Sequence, residues 1–556
     1  MKKNNKNNIT KDLKSINLLI TIMKKSNFYM QDLKSFIDTH VKVIEPIFLK
    51  TTESIWNSET SGKEEDYKKR EDCKRDFYLI YSCPYDYQRL EKIKNNGKIN
   101  DPLLKRQLKL LIESYKSKQL PKDLLDEMVV KSTKIGRDFN TFRGMVDGKR
   151  ISQNDIERVL LNSQDSEERK KYWNAQKSVG EKVYKDLLDL VKLRNKSARK
   201  LGFENYYTMS LDLQEIDDKW LKKIFNKLYK KTEKGFRKVK EELDRDLAKK
   251  FNISHEEIMP WHYSDPFFQK YPILTDDFDK VYKKHDIISL AKQFYAGIGL
   301  PIDNVLANSD LYEREGKCPH AFCIFMDKKD DVRILMNATN TINNMDTILH
   351  EAGHAVYDLG IDNNLPFLLR DTAHTFVTEA IAMMFGKLAY SGKWMQSEMN
   401  LNNHEAQRLD KLGHEINQKQ QLILSRWIQV MVNFERELYN NPEQDLNSLW
   451  WDFVEKYQHI KKPQGRNKPD YASKIHLTIA PVYYHNYQLG ELLASQFNNY
   501  IKKNITQNKP YNYNSNIGKY LNEKVFKPGA SMEWNKLIKF ATGKKLKPKY
   551  FLKEYC

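Results

Sequence analysis

Cysteine is scarce in this chain: five residues (Cys73, Cys83, Cys318, Cys323, Cys556) in 556. An odd, thinly spread set in so long a chain excludes a disulfide scaffold and reads as reduced thiols. Cys318 and Cys323 have no second cysteine pair to complete a zinc knuckle, so they read as small packing residues. Glycine (21) and proline (17) are too few for a collagen-like or linker-rich chain. No apolar run approaches the 18 or so residues that a membrane-spanning helix needs. No internal repeat and no nucleic-acid recognition motif is visible.

What is present is charge and aromatic bulk. Lys and Arg number 94 against 74 Asp and Glu, a net charge of +20. The excess is spread along the whole chain, which describes a solvated surface rather than a nucleic-acid stripe. With 31 Tyr, 25 Phe and 9 Trp the chain has ample material for a large core and is not disordered. The N-terminus is basic, and Ile16–Met23 is an apolar run of eight followed at once by Lys24 and Lys25. That is short for a secretory leader and has no small-x-small cleavage site. Residues 1–28 therefore read as a flexible basic tail, with a cytoplasmic protein expected and export as the alternative.

From residue 29 to the C-terminus the apolar spacing is helical almost throughout, and residues 29–556 read as one helical domain. Its first part, 29–150, is the more charged. The exceptions to the helical pattern are an aromatic, proline-rich loop (Met259–Pro272) and two strand-like runs, Ala321–Met326 and Val332–Asn337, which predict a hairpin. The expected fold is mainly α with one small sheet.

The stretch DTILHEAGHAVYDLG holds His350, Glu351 and His354. In a helix, H-E-x-x-H sets two imidazoles one turn apart on one face, where both reach a single Zn²⁺. Glu351 then stands beside the open coordination position as a general base. Asp346 or a neighbouring Asn reads as the start of this helix and Gly360 as its stop. Gly353 lowers helix propensity, which suggests a functional reason for it. A zinc site needs a third protein ligand. TFVTEAIAMMFGKLAY is apolar on nearly every side and carries Glu379 in its middle. A carboxylate buried there must pair with a cation such as Arg370 or bind metal. The metal completes a His₂Glu set.

HEAGH followed by VTEAIAMMFG resembles the angiotensin-converting-enzyme family of zinc peptidases. KCPHAF (Lys317–Phe322) is similar to its active-site strand, interrupted here by Pro319. KIHLTIAPVYYHNY (Lys474–Tyr487) is similar to its Lys-x-His…Pro…Tyr-x-x-Tyr segment, with one extra residue between the His and the second Tyr. The neighbouring thimet/oligopeptidase-F family shares the ligand set. The resemblance implies a zincin-like helical ellipsoid with a deep central channel, one Zn²⁺ per chain, and lid helices over 29–150 with the catalytic core over 151–556. It implies that Tyr487 and His476 stabilise the oxyanion. Lys474 and Tyr484 would hold the carboxylate at the substrate's C-terminus, while His320 and Ala321 contact its backbone. Without the family, the tyrosines at helical spacing read as core and His476 as a surface or capping residue.

The resemblance has three departures. Asn486 stands where chloride-responsive members have Arg, so chloride activation is not implied. Met336 and Asn337 leave the strand without a disulfide partner. Met383 replaces the Asp four residues after the third ligand, so support for the ligands must come from elsewhere. The expected activity is hydrolysis of short peptides, as a peptidyl-dipeptidase or carboxypeptidase, with an endo-acting oligopeptidase and an inactive peptide-binding relative as the alternatives. No nucleic-acid partner and no membrane insertion are expected.

Overall fold

The structure is a computed structural model that describes residues 2–272 and 275–556; the side chains of residues 2–26 and of residue 140 lie outside the description. Helices dominate, as the sequence pattern predicts. The N-terminal part consists of α1 (Lys2–Ser61), α2 (Glu64–Tyr81), α3 (Pro84–Asn96), α4 (Pro102–Lys116) and α5 (Lys122–Thr141). A short hairpin, β1 (Gly144–Val146) and β2 (Lys149–Ile151), leads into α6 (Gln153–Asn162), α7 (Ser166–Lys200), α8 (Tyr206–Leu213) and α9 (Asp218–Phe251). Three small helices follow: α10 (Asp276–Tyr282), α11 (Ile287–Gly297) and α12 (Asp303–Asn308). The second hairpin is β3 (Phe322–Phe325) and β4 (Val332–Leu335). Beyond it come α13 (Ile342–Leu359), α14 (Thr375–Gly386), α15 (Gly392–Met399), α16 (Asn403–Asn440), α17 (Leu446–Gln458), α18 (His476–Ile479) and α19 (His485–Asn504), with shorter helices reaching Tyr555. No helix among the described residues is long and apolar enough to cross a membrane.

The starts of these helices follow from local chemistry. Asp101 precedes Pro102 and its carboxylate accepts the Leu103 and Leu104 amides, so α4 begins there. Asp165 does the same for α7 and Asp286 for α11. The predicted hairpin forms as β3–β4, paired antiparallel with Phe322 opposite Leu335. Its turn is tied by Asp327, whose Oδ1 accepts from the amides of Lys329, Asp330 and Asp331 at 2.8–3.1 Å. The β1–β2 hairpin is an addition to the one expected sheet. Its turn is Asp147-Gly148, both left-handed (φ 47° and 78°), the pairing that a two-residue hairpin turn favours.

Packing divides the chain differently from the sequence boundaries. α1 runs without a break past residue 28, where the flexible tail was expected to end. Tyr29, Leu33, Phe36, Leu90, Leu111 and Tyr115 build a separate core between α1, α3 and α4. Inside it His40 lies between Tyr81 and Tyr115, with each ring nitrogen 3.3 Å from a phenol oxygen. Ile135 of α5 belongs instead to the large core shared by all later helices. The part with its own core is therefore α1–α4, and α5 packs with the body.

Candidate metal centre and substrate cavity

α13 starts one turn earlier than the sequence suggested. Thr341 caps it, its side chain accepting from the Asn344 amide, and Asp346 lies inside the helix rather than at its start. Gly360 ends it as expected. Ile348, Leu349, Ala352, Ala355 and Val356 are buried and seat the helix. His350, Glu351 and His354 consequently project from one face.

Two glycines bring the third side chain to them. A Cβ built on Gly353 would lie 2.8 Å from the Ala382 Cα, so α13 and α14 cross in backbone contact at that point. Gly353 is thus explained by close helix approach. On the neighbouring flank of α14, a Cβ on Gly490 of α19 would lie 3.3 Å from Glu379 Cβ. Glu379 is held between the two helices. Its Oε2 is 3.7 Å from His350 Nε2 and 4.0 Å from His354 Nε2. All three donor atoms lie within 4.8 Å of one another. Donors around one tetrahedral zinc stand about 3.3 Å apart, so a small closure satisfies the geometry. Arg370, the alternative partner, instead donates through Nε to the Leu365 carbonyl at 2.7 Å.

The electrostatics suit a cation. Burial lowers His350 to about 4 and His354 to about 3, with the His350 charge adding to the latter, so both imidazoles are neutral and free to donate a lone pair. Burial raises Glu379 to about 7 against a hydrogen bond from Tyr483. Glu351 is raised to about 8 by burial and by the Glu379 carboxylate, while a backbone hydrogen bond at Cys323 on β3 opposes this. Two carboxylates in one enclosed space without a counter-charge are unfavourable, and a divalent cation removes that penalty. The donor set therefore fits zinc.

Support for the ligands comes from a residue the sequence reading missed. Thr378 Oγ1 is 2.7 Å from His354 Nδ1. With Nε2 facing the site, Nδ1 carries the proton and donates it to Thr378, which fixes the tautomer. This hydroxyl does the work expected of the missing Asp at Met383. Its signal in the sequence was only its position beside Glu379.

Tyr483 was also missed. Its hydroxyl reaches Glu379 Oε1 at a long 3.5 Å. Tyr487, in the first turn of α19, has its ring 5.3 Å from that of Tyr483 and 5.5 Å from that of Tyr484. The Glu379 charge and, more strongly, burial raise its phenol, and its hydroxyl has no protein partner among the described residues. The tyrosines are aimed by a turn at Val482, a β-branched residue with φ 54°. That conformation is clamped by the buried Glu435, which accepts the Val482 amide at 2.8 Å, and by Gln214, which donates to its carbonyl at 3.2 Å. Asn486 donates to the same Gln214 side chain at 3.1 Å.

His350 faces a cavity of about 1040 Å³ that also receives His320, Lys474 and His476. Lys474 is set among the rings of Phe267, Trp427 and Tyr484, with its ammonium 5.0–5.9 Å from their centroids. Burial lowers it to about 8. It donates to Gln269 Oε1 at 3.0 Å. Gln269, from the aromatic loop, is a third residue the sequence reading missed. The buried Asp265 fixes it by accepting the amides of Phe267, Gln269 and Lys270 at 2.9–3.0 Å. Tyr484 is buried, and its hydroxyl accepts from Trp427 Nε1 at 3.3 Å. The His476 ring lies tilted against that of Tyr484, 5.0 Å between centroids, and its buried Nδ1 has no partner among the described residues. Ala321 is half-buried beside β3 and packs on the main core rather than lining this cavity.

A family profile described as angiotensin-converting enzyme matches residues 29–556. Among curated proteins, the angiotensin-converting enzyme-like protein Ace3 of Mus musculus is 21% identical over 561 residues, covering 93% of this chain and 74% of the relative. The angiotensin-converting enzyme of Theromyzon tessulatum is 23% identical over 425 residues, covering 70% of this chain and 68% of that protein. A profile that spans nearly the whole chain, together with a donor set that the fold assembles from two helices, shows that the chain belongs to the angiotensin-converting enzyme family of zinc metallopeptidases.

Proposed function

We propose that the protein hydrolyses short peptides and releases dipeptides from their C-termini, with zinc held by His350, His354 and Glu379. The observation that carries the reading is the convergence of these three donors beside Glu351. A zinc ion at that place supplies Lewis acidity to water and to the scissile carbonyl. Glu351 accepts the proton of the attacking water and delivers it to the leaving amine. Tyr487, with an uncommitted hydroxyl, and His476, with an uncommitted ring nitrogen, donate to the oxyanion.

The C-terminal mode is supported by Lys474. A buried ammonium beside a fixed amide, walled by aromatic rings, is a receptor for a terminal carboxylate. Tyr484 shapes that receptor as a ring wall, since its hydroxyl is engaged with Trp427. His320 stands at the cavity edge, and Ala321 in the strand leader behind it, where an extended peptide can add its backbone.

Product mapping by mass spectrometry on matched peptides with free and amidated C-termini tests the reading. Dipeptide release from the free acid, with a loss of at least about tenfold on amidation and no turnover by Glu351→Gln, is expected. Equal cleavage of both forms would exclude carboxylate capture and leave an endo-acting oligopeptidase. Equal turnover by Glu351→Gln would remove the assigned base.

A further inference from the structure

One wall of the cavity carries charge that peptide hydrolysis does not use. Asp346 stands one helical turn before His350 on the same face of α13, and its side chain lines the same cavity. It is seated against bare backbone, for a Cβ on Gly386 would lie 2.3 Å from its Oδ1. The residue is half-buried, and among the described residues no hydrogen bond or contact ion pair reaches its carboxylate, on which Lys387 acts only through space. Its acidic neighbour is not in that position. Glu491 is engaged by Lys387 and by Gln421 Nε2 at 2.9 Å. Lys387 is in turn occupied with Glu491 and with the Tyr555 hydroxyl at 3.1 Å. The wall therefore has two carboxylates and one ammonium, which is bonded to Glu491 and reaches Asp346 only as a field, so the wall keeps an excess of negative charge. A half-buried carboxylate with no hydrogen-bond donor favours a cation that supplies one. Lys474 and His350 open on the same cavity, so a peptide spanning them passes this wall.

We propose that Asp346, with Glu491 behind it, recognises a basic side chain, Arg or Lys, within the C-terminal dipeptide of the substrate. The inference rests on the peptidase reading above and names the substrate class of that site. A guanidinium offers paired donors to the two free carboxylate oxygens, and an ammonium offers a point charge. An acidic side chain there meets like charge and is rejected, which sharpens the selection.

The test is a set of peptides sharing one body and carrying Arg, Leu or Glu in turn at each of the last two positions, offered to the zinc-loaded enzyme. At one of the two positions kcat/KM is expected to be at least tenfold higher for Arg than for Leu, and lowest for Glu. Asp346→Asn should bring the Arg and Leu values within about twofold of each other, a ratio that mere instability would not change. Asp346→Lys should favour Glu over Arg. Equal values for Arg and Leu at both positions in the wild type, or an unchanged ratio in Asp346→Asn, overturns the proposal. If no peptide is cut, the peptidase reading fails separately. The wall is then read by calorimetry of Ala-Arg and Ala-Leu binding to zinc-loaded Glu351→Gln. At least tenfold tighter Ala-Arg supports it, and equal affinity overturns it.

Discussion

At the scale of single residues, the metal centre is a set of groups that burial has put into the right protonation state. His350 and His354 are neutral because charging them inside the protein is unfavourable, and His354 is further oriented by Thr378. Thr378→Val keeps the shape and removes the acceptor. The ring then loses its fixed tautomer, and zinc affinity should fall about 10–100-fold, as loss of such a partner usually causes. Competition with a chelator of known affinity measures this; unchanged affinity would show that Thr378 is irrelevant to the ligand. His350, Glu351 and His354 were legible in the sequence because spacing on a helix dictates which side chains share a face, and Glu379 was a candidate because a carboxylate in an apolar helix needs a partner. Thr378, Tyr483 and Gln269 were not. Each acts across a distance in sequence that no local pattern records, from Gln269 to Lys474 for instance.

Among elements, the decisive contact is the crossing of α13 and α14. It is possible because Gly353 lets the backbone of Ala382 approach. Gly353→Ala places a methyl group against main chain that cannot rotate away. It should destabilise the fold by about 1–3 kcal/mol even though alanine is the better helix former. It should also widen the gap between Glu379 and the imidazoles. Thermal unfolding with and without zinc reads both effects: a smaller zinc-induced rise in Tm than in the wild type is expected, and a more stable variant would refute the close-approach account. The sequence announced a mainly helical chain, without dividing it into these helices. It put the start of α13 at Asp346 or a neighbouring Asn, because these and Thr341 are all acceptable caps locally, and packing of Ile342 and Met345 into the core favours Thr341. The Asp147-Gly148 turn is a hairpin signal that the sequence reading passed over, and it closes the additional sheet.

For the whole molecule, the feature to explain is how α1–α4, with their own core, are joined to the body. The joint is apolar where Phe48 meets Phe367 and Trp56 meets Met326 and Leu335, and ionic at α4. Arg106 on α4 donates to Glu215, one bond at 3.0 Å, and to the Ala530 carbonyl at 2.8 Å. Lys109 reaches Glu215 at 2.5 Å and Glu533 at 2.9 Å. Hydrogen bonds from Lys109 and Lys536 lower Glu533 from 4.5 to about 2 despite partial burial. A carboxylate lowered on folding contributes stability that is complete above its unfolded value and fades as pH falls through the folded one. The contribution of Glu533 is thus present above about pH 4.5 and lost towards pH 2. Hydrogen exchange of α4 should show faster opening in Glu533→Gln than in the wild type at pH 6, with the difference closing as pH approaches 2. A difference that persists at the acid end would mean that the joint does not depend on this charge.

The sequence by itself determined the elements and the groups they carry: apolar spacing made helices, and H-E-x-x-H on one of them set two imidazoles and a carboxylate within one turn of each other. Those are local facts, governed by the 3.6-residue turn. Only the tertiary structure decided that Glu379 meets the two imidazoles rather than Arg370, that Gln269 backs Lys474, and that Asp346 faces the cavity with no hydrogen bond among the described residues. These depend on which helices approach closely and on which charges burial leaves without partners, and such outcomes are properties of packing in three dimensions.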